Sequence, residues 1–380
     1  MQSISGSITG SHPLPEERPR LRLLSAIDGR LMLSVLLLAA IGLATVHSAS
    51  AEMAVDYFPR QAAWVAVGLA LLVASMSIDY HVLLDFSVVL YGLGIASLVA
   101  VLGYGAVHGG AANWLQIGPW QFQPSEFAKL ATCLFLARYL ASLNARVLDL
   151  RQIATAVVIV AVPMLLVAVE PDMGGAGMFA PLLVGTLLVA GVRVRLLVIA
   201  VLTGLVLVSG VWMFGMKGYQ RQRVMTFLSP ETDPLGAGYQ VRQSKIAVGS
   251  GELLGKGYMQ GTQSQLRFLP ARHTDFILAV LAEEWGFLGV LTVMGLYVLF
   301  ITSAARIAMR ARDRAGILLV VGLLSFLCFH ILYNSSMVVG FAPITGIPLP
   351  FLSYGGSFTM INFISTGIIL GVDIRRYVNR

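Results

Sequence analysis

A few polar clusters interrupt a chain that is otherwise apolar, and each has a chemistry attached to its spacing. In Gln123-Pro-Ser-Glu-Phe-Ala-Lys129, Glu126 and Lys129 are three residues apart. On a helix started by Pro124 that spacing puts carboxylate and ammonium on one face, where they neutralise each other. The pair then either ties a bundle together or lines a polar cavity, and its spacing alone fits both. Glu170-Pro-Asp172, followed by Met-Gly-Gly-Ala-Gly177, places two acids about a rigid turn. Such a turn can hold a cation or organise loops, or simply be a solvated helix connector.

The densest cluster is Gln263-Ser-Gln-Leu-Arg-Phe-Leu-Pro-Ala-Arg272-His-Thr-Asp275, which runs into an apolar helix. Asp275 stands where loop becomes helix, half withdrawn from water, a suitable place for a general base. Desolvation favours its neutral form, whereas Arg272 and His273 favour the charged one. An acid at a helix start is also favoured by the dipole without any catalysis. Further along come Glu283 and Glu284, expected about two turns below Asp275 and inside the membrane. Adjacent helical positions diverge by about 100°, so one of the two at most shares the face of Asp275. His330 and Asn334, one turn apart, read as interior polar glue.

The elements that must position these groups are membrane helices. Of 380 residues, 57% are hydrophobic and 12% charged, with a mean hydropathy of +0.80. That leaves too little polar surface for a soluble globule. Apolar runs of roughly 20 residues, the length that crosses a bilayer, predict an all-α polytopic membrane protein of about ten transmembrane helices. They fall at roughly 31–48, 61–78, 82–102, 124–142, 152–169, 174–191, 195–215, 275–302, 315–340 and 356–372. Most arginines flank alternate ends of these runs, which by the positive-inside rule sets a multi-pass topology in the cytoplasmic (inner) membrane with both termini cytoplasmic.

A long extracytoplasmic loop, about 216–272, is expected between helices 7 and 8. Within it Tyr239–Ala247 is amphipathic enough for a short helix, and Gly249–Gly261 reads as turns whose small residues admit a ligand to the backbone. Residues 1–25, with Arg18, Arg20 and Arg22, are expected to be a disordered cytoplasmic tail, and 26–380 a single membrane domain. Net charge is +7, but the basic residues are scattered over membrane-flanking segments, which excludes a nucleic-acid surface. Cys133 and Cys328 both lie in apolar runs, so neither a disulfide framework nor a cysteine metal site is indicated.

These blocks resemble the SEDS family of cell-wall polymerases (shape, elongation, division and sporulation). The resemblance also rests on Gly249-Ser-Gly-Glu-Leu-Leu-Gly-Lys-Gly257 and Pro348-Leu-Pro-Phe-Leu-Ser-Tyr-Gly-Gly356, and it covers residues 25–378. Gly261-Thr-Gln-Ser-Gln265 is what favours the RodA-like elongation branch over the FtsW-like division branch. Ala271 departs from the pattern, which has Glu there.

The resemblance implies a peptidoglycan glycosyltransferase that polymerises lipid II into β-1,4 glycan at the outer membrane face. Going from an α-linked pyrophosphate to a β linkage inverts the anomeric carbon and calls for one general base, for which Asp275 is the candidate. Arg223, Lys245 and Arg272 are then candidates to clamp the pyrophosphate, and Glu126 and Lys129 to support Asp275 from a cavity. Gln263, Ser264, His273 and Glu283 are further candidate site residues. A metal site is not indicated, although a divalent cation (Mg or Mn) could share the charge. The implied partners are lipid II, a class B penicillin-binding protein transpeptidase and the elongation machinery. A lipid II flippase or a non-catalytic scaffold for the transpeptidase are the competing readings; a transporter needs a polar path through the whole bilayer.

Overall fold

The computed structural model describes residues 27–51, 53, 55–108, 111–117, 120–143, 147–193, 195–196 and 236–378. Helix α1 is Gly29–Ser50, α2 Phe58–Ser77, α3 Tyr80–Asp85 and α4 Ser87–Tyr104. After three strands come α5 Pro124–Ser142, α6 Leu150–Val169, α7 Met173–Gly177, α8 Phe179–Ala190, α9 Ala237–Ser250 and α10 Thr262–Gln265. The chain ends with α11 Ile277–Arg310, α12 Arg314–Val338 and α13 Gly356–Val378. Among the described residues, 8 helical stretches are long and apolar enough to cross a membrane. The expected helix at 195–215 lies almost wholly outside the described residues, as do the N-terminal tail, Arg223 and the first part of the long loop.

Helix α5 falls outside those 8 because Glu126, Lys129 and Arg138 lower its hydropathy, yet it is buried on nearly every side. A helix buried all round sits at the centre of its bundle. It packs against α4, α6 and α12, while α13 lies along α2 and α1 along α11. At the α2–α13 crossing, a side chain on Gly367 would meet Ser75 and the Leu72 backbone, so the missing Cβ sets how near the helices come.

An all-α fold was expected, and here the structure differs. Strands β1 Ala106–His108, β2 Ala111–Ile117 and β3 Trp120–Phe122 form an antiparallel sheet in the order β1-β2-β3. Ala106 pairs with Trp114, and Leu115 with Phe122. The strands are short and framed by glycines and Pro119 in the sequence, a pattern that reads equally as a loop.

Helix ends on the face expected to be cytoplasmic are tied by arginines. Arg138 donates to the carbonyls of Leu84 and Asp85 (3.2 and 2.7 Å). Arg314 bridges Leu143 and Ala190 (both 2.8 Å), and Arg375 reaches Met76 and Ser77 (3.1 and 2.7 Å). Each guanidinium thus satisfies carbonyls that a helix end leaves without partners, at the negative end of its dipole.

The 34 residues of α11 would measure about 51 Å if straight, well beyond the ~30 Å hydrocarbon core. The helix is broken at Gly286 (φ 65°, ψ −164°), a backbone region essentially reserved to glycine. A strap formed by residues 252–257 supplies the hydrogen bonds lost there. Lys256 N and Gly257 N donate to the carbonyls of Glu283 and Glu284, and Phe287 N and Leu288 N donate back to Glu252 and Leu253 (2.9–3.2 Å).

Two expectations are corrected by this break. Glu283 and Glu284 lie about two turns beyond Asp275, but on a half-helix that stops before Gly286 rather than on a continuous span; the Glu283 side chain meets Lys256 of the strap and that of Glu284 meets Ser48 of α1. Within Gly249–Gly261 it is the broken helix, and not a ligand, that Gly251 and Gly255 admit: a Cβ on Gly255 or Gly251 would collide with the carbonyls of Glu284 and Ala282, respectively. Expected at 239–247, a short helix is observed as α9.

Candidate active site

Asp275 is the last polar residue before the buried half-helix 277–285, and its backbone is held from outside. Three consecutive carbonyls each accept a bond from another part of the chain: His273 from Tyr354 N (2.9 Å), Thr274 from Ser353 Oγ (2.6 Å) and Asp275 from Asn334 Nδ2 (2.8 Å). Ser353 and Tyr354 belong to the Pro348–Gly356 run, which gives that motif a positioning role. Gln61 of α2 in turn holds it, donating to Ser353 O (3.3 Å) and accepting from Gly355 N (3.2 Å). The irregular backbone here is satisfied by protein groups.

The segment borders a cavity of about 400 Å³ lined by Asp275, Glu126, Lys129, Asp172, His330 and Gln240, among others. Lys129 Nζ donates to Glu126 Oε1 at 2.8 Å, with both side chains almost completely buried. It also approaches His330 Nε2 at 3.4 Å, while His330 Nδ1 lies 3.1 Å from the Pro348 carbonyl. A carbonyl only accepts, so Nδ1 carries the proton and Nε2 presents its lone pair to Lys129. Asp172 caps Gly175 N (2.7 Å) and accepts from Asn113 of β2 (3.3 Å), so the sheet forms one wall.

A second chamber of about 880 Å³ shares Trp114, Thr274, Tyr354 and Gly355 with the first. Its other walls include Tyr57, Arg60, Trp64 and His273. His273 stacks on Tyr57 (ring centroids 4.4 Å, planes 10° apart), and Tyr354 packs against both rings. Burial, reinforced by the Arg272 charge, lowers the His273 pKa to about 4, so this ring is neutral near pH 7. Arg60 stands exposed at the start of α2 and is the cation of this chamber.

The remaining predicted residues lie elsewhere. Arg272 is 1% exposed, and its guanidinium donates to the carbonyls of Ala49 (2.6 Å) and Ser264. It braces the loop and does not line the cavity, so the phosphate clamp expected of it is not where the structure puts it; long reach in a sequence does not say whether a guanidinium turns inward. Lys245 is exposed on α9 next to Gly340 and lines neither chamber. Glu283, fully buried, accepts from Lys256 Nζ (2.7 Å), Thr262 Oγ1 (3.1 Å), Gln263 N (2.9 Å) and Ser264 N (3.3 Å). Together these fold the loop around one carboxylate. Glu284 accepts from Ser48 of α1.

Arg60, Trp114 and Gln61 were not among the residues singled out in the sequence, and Tyr354 entered only as part of the Pro348–Gly356 run. The aromatic-rich Asp56-Tyr-Phe-Pro-Arg60 stretch was the available signal.

The cell cycle protein family of FtsW, RodA and SpoVE matches residues 29–378. The chain belongs to this family. Peptidoglycan glycosyltransferase MrdB of Escherichia coli K12 is 41% identical over 352 residues, 92% of this chain and 94% of MrdB. RodA of Treponema pallidum is 32% identical, covering 94% of this chain and 100% of that one. Among solved structures, a chain from a study titled "Structural coordination of polymerization and crosslinking by a peptidoglycan synthase complex" superposes with a TM-score of 0.80 at 30% identity. That match covers 93% of this chain and 99% of the other. RodA of Thermus thermophilus superposes with a TM-score of 0.70 at 27% identity, covering 93% and 98%. Within the FtsW/RodA/SpoVE family these relatives place the chain on the RodA-like side.

Proposed function

We propose that this protein is a peptidoglycan glycosyltransferase of the elongation type, polymerising lipid II. The carrying observation is Asp275, fixed through three successive carbonyls at the edge of a cavity that shares Trp114, Thr274, Tyr354 and Gly355 with a second, aromatic chamber. Two adjacent chambers suit a reaction between two sugar–lipid substrates. In this reading Asp275 removes the proton of the acceptor sugar 4-hydroxyl as that oxygen attacks the donor anomeric carbon. The bond from that carbon to pyrophosphate breaks, the electron pair leaves on the lipid pyrophosphate, and configuration inverts.

Negative charge grows on the departing pyrophosphate and needs cationic partners. Arg60 in the aromatic chamber serves here, and Arg223 and Lys245 stay as outer candidates. Lys129 and Glu126 form a fixed dipole at the cavity floor that sets the field around Asp275. Among the described residues no three His, Cys, Asp or Glu side chains gather into a metal-holding group. In this reading a divalent cation, Mg or Mn, would be brought by the pyrophosphate itself.

The full topology belongs to the same reading: ten spans, a long extracytoplasmic loop between the seventh and eighth, and both termini in the cytoplasm of an inner-membrane protein. So does a class B penicillin-binding protein as transpeptidase partner within the elongation machinery. Purified protein, alone and with that partner, is incubated with lipid II beside Asp275→Asn, and glycan ladders are read on a gel. Ladders from wild type and none from a folded variant support the assignment. Retained polymerisation by Asp275→Asn removes the base from Asp275, and lipid II crossing liposomes without ladders replaces the polymerase by a flippase.

A further inference from the structure

The strap that repairs the break in α11 carries apolar side chains outward. Leu253 is 59% exposed and Leu254 73%, although hydrogen bonds on both sides of them hold the strap rigidly to the helix. Phe287 N and Leu288 N, which bond to Glu252 and Leu253, open the long segment 287–310 of α11. Phe287, Leu288, Leu291 and Val298 are themselves exposed along it. A segment of about 36 Å with exposed apolar residues along it spans a bilayer and shows that face to lipid. The two strap leucines therefore continue the lipid-facing surface upward, with the backbone bonds fixing them at its edge. Lys256 does not interrupt that surface, because its ammonium turns inward to Glu283. On its other flank the strap is tied to α1, with the Tyr258 hydroxyl bonded to His47 Nδ1 (2.9 Å) and the Ala44 carbonyl (3.1 Å).

We propose that this strap is a bilayer-interface anchor that seats Leu253 and Leu254 in the headgroup–acyl boundary on the Asp275 side of the membrane. An apolar patch of this kind, held at the level where a spanning helix emerges, is covered more favourably by lipid than by water. The half-helix that begins just after Asp275 hangs from the same backbone bonds, so the anchor also fixes the depth of that residue. The occupant is lipid, by continuity with the lipid-facing side of α11.

Spin-label accessibility in lipid nanodiscs tests this on the isolated full chain. In a Cys328→Ser background, with Cys133 buried, a nitroxide is attached at Leu254→Cys and separately at Leu253→Cys. Leu291→Cys provides the lipid reference and the exposed Gln260→Cys the aqueous one. The expected result is an oxygen-to-nickel-chelate collision ratio at both strap positions several-fold above that at 260 and nearer that at 291. A ratio equal to that at 260 overturns the anchor. Shielding from both reagents that develops only when a single-span transpeptidase is added to such a water-exposed strap also overturns it, assigning the surface to protein. Either strap position suffices if the other variant fails to fold.

Discussion

Asn334 holds Asp275 by its backbone and not by its carboxylate. Asn334 Nδ2 donates to the Asp275 carbonyl and to the Ile347 carbonyl, each at 2.8 Å, so one amide on α12 joins the two loops that meet at the cavity. Asn334→Ala leaves two buried carbonyls short of a donor, which costs about 1–3 kcal/mol. Glycan synthesis should fall by more than the melting temperature predicts, because Asp275 is released from its position. Comparing ladder yield with thermal melting in detergent checks this, and equal losses in both would make Asn334 merely structural.

The Lys129–Glu126 pair should behave as a unit. Removing one partner strands a buried charge at about 3–5 kcal/mol, so Lys129→Met and Glu126→Gln should each lower the melting temperature sharply. The double variant should recover much of that loss yet stay inactive in polymerisation. A double variant whose melting deficit is the sum of the two singles would mean that the pair is not coupled.

At Gly286 the prediction concerns backbone. Any side chain must adopt a left-handed conformation there and would meet Gly255 N and the Leu253 carbonyl, so Gly286→Ala should detach the strap. The expected readout is faster hydrogen exchange at residues 252–257 together with loss of activity. Unchanged exchange would show that the break does not depend on glycine.

Glu170, just past the end of α6, is 1% exposed, and among the described residues neither carboxylate oxygen has a hydrogen-bond partner. Burial, with Asp172 adding to it, raises its pKa to about 8. The folded protein therefore binds a proton there that the unfolded chain releases near pH 4.5. This contribution to stability is complete below that pH and is lost as pH rises through about 8. Glu170→Gln, which imitates the neutral acid, should match wild type at pH 5 and melt a few degrees higher at pH 8. Parallel melting curves at the two pH values would contradict the protonated state.

Much of the fold was legible because a spanning helix writes itself as a long apolar run. α1, α2, α5, α6 and α12 begin and end within a few residues of where the hydropathy places them. The break at Gly286 was not legible, since Ala-Val-Leu-Ala-Glu-Glu-Trp-Gly-Phe-Leu-Gly-Val reads as one apolar helix and the torsion angle of a single glycine leaves no trace in composition. The sheet was missed for a related reason: three- and seven-residue strands are too short to show alternation above noise. Glu126, Lys129 and Asp275 were singled out as charges within or beside apolar runs, and the structure brings all three to one cavity. That Arg272 turns inward and Arg60 faces a chamber was not legible, because sequence gives a cation its reach but not its direction.

The arginines that tie helix ends carry two properties that chemistry can separate. Arg138, Arg314 and Arg375 each bring one positive charge, which biases insertion, and a planar guanidinium, whose fork in Arg314 and Arg375 spans two carbonyls with two nitrogens, while Arg138 reaches two carbonyls through Nη1. Lysine would keep the first and give up the second, because its point-like ammonium lacks the fixed geometry of the fork. A chain with lysine at all three positions would still thread the membrane in the same sense, but its helix ends would be loosened from one another, orientation surviving where rigidity does not.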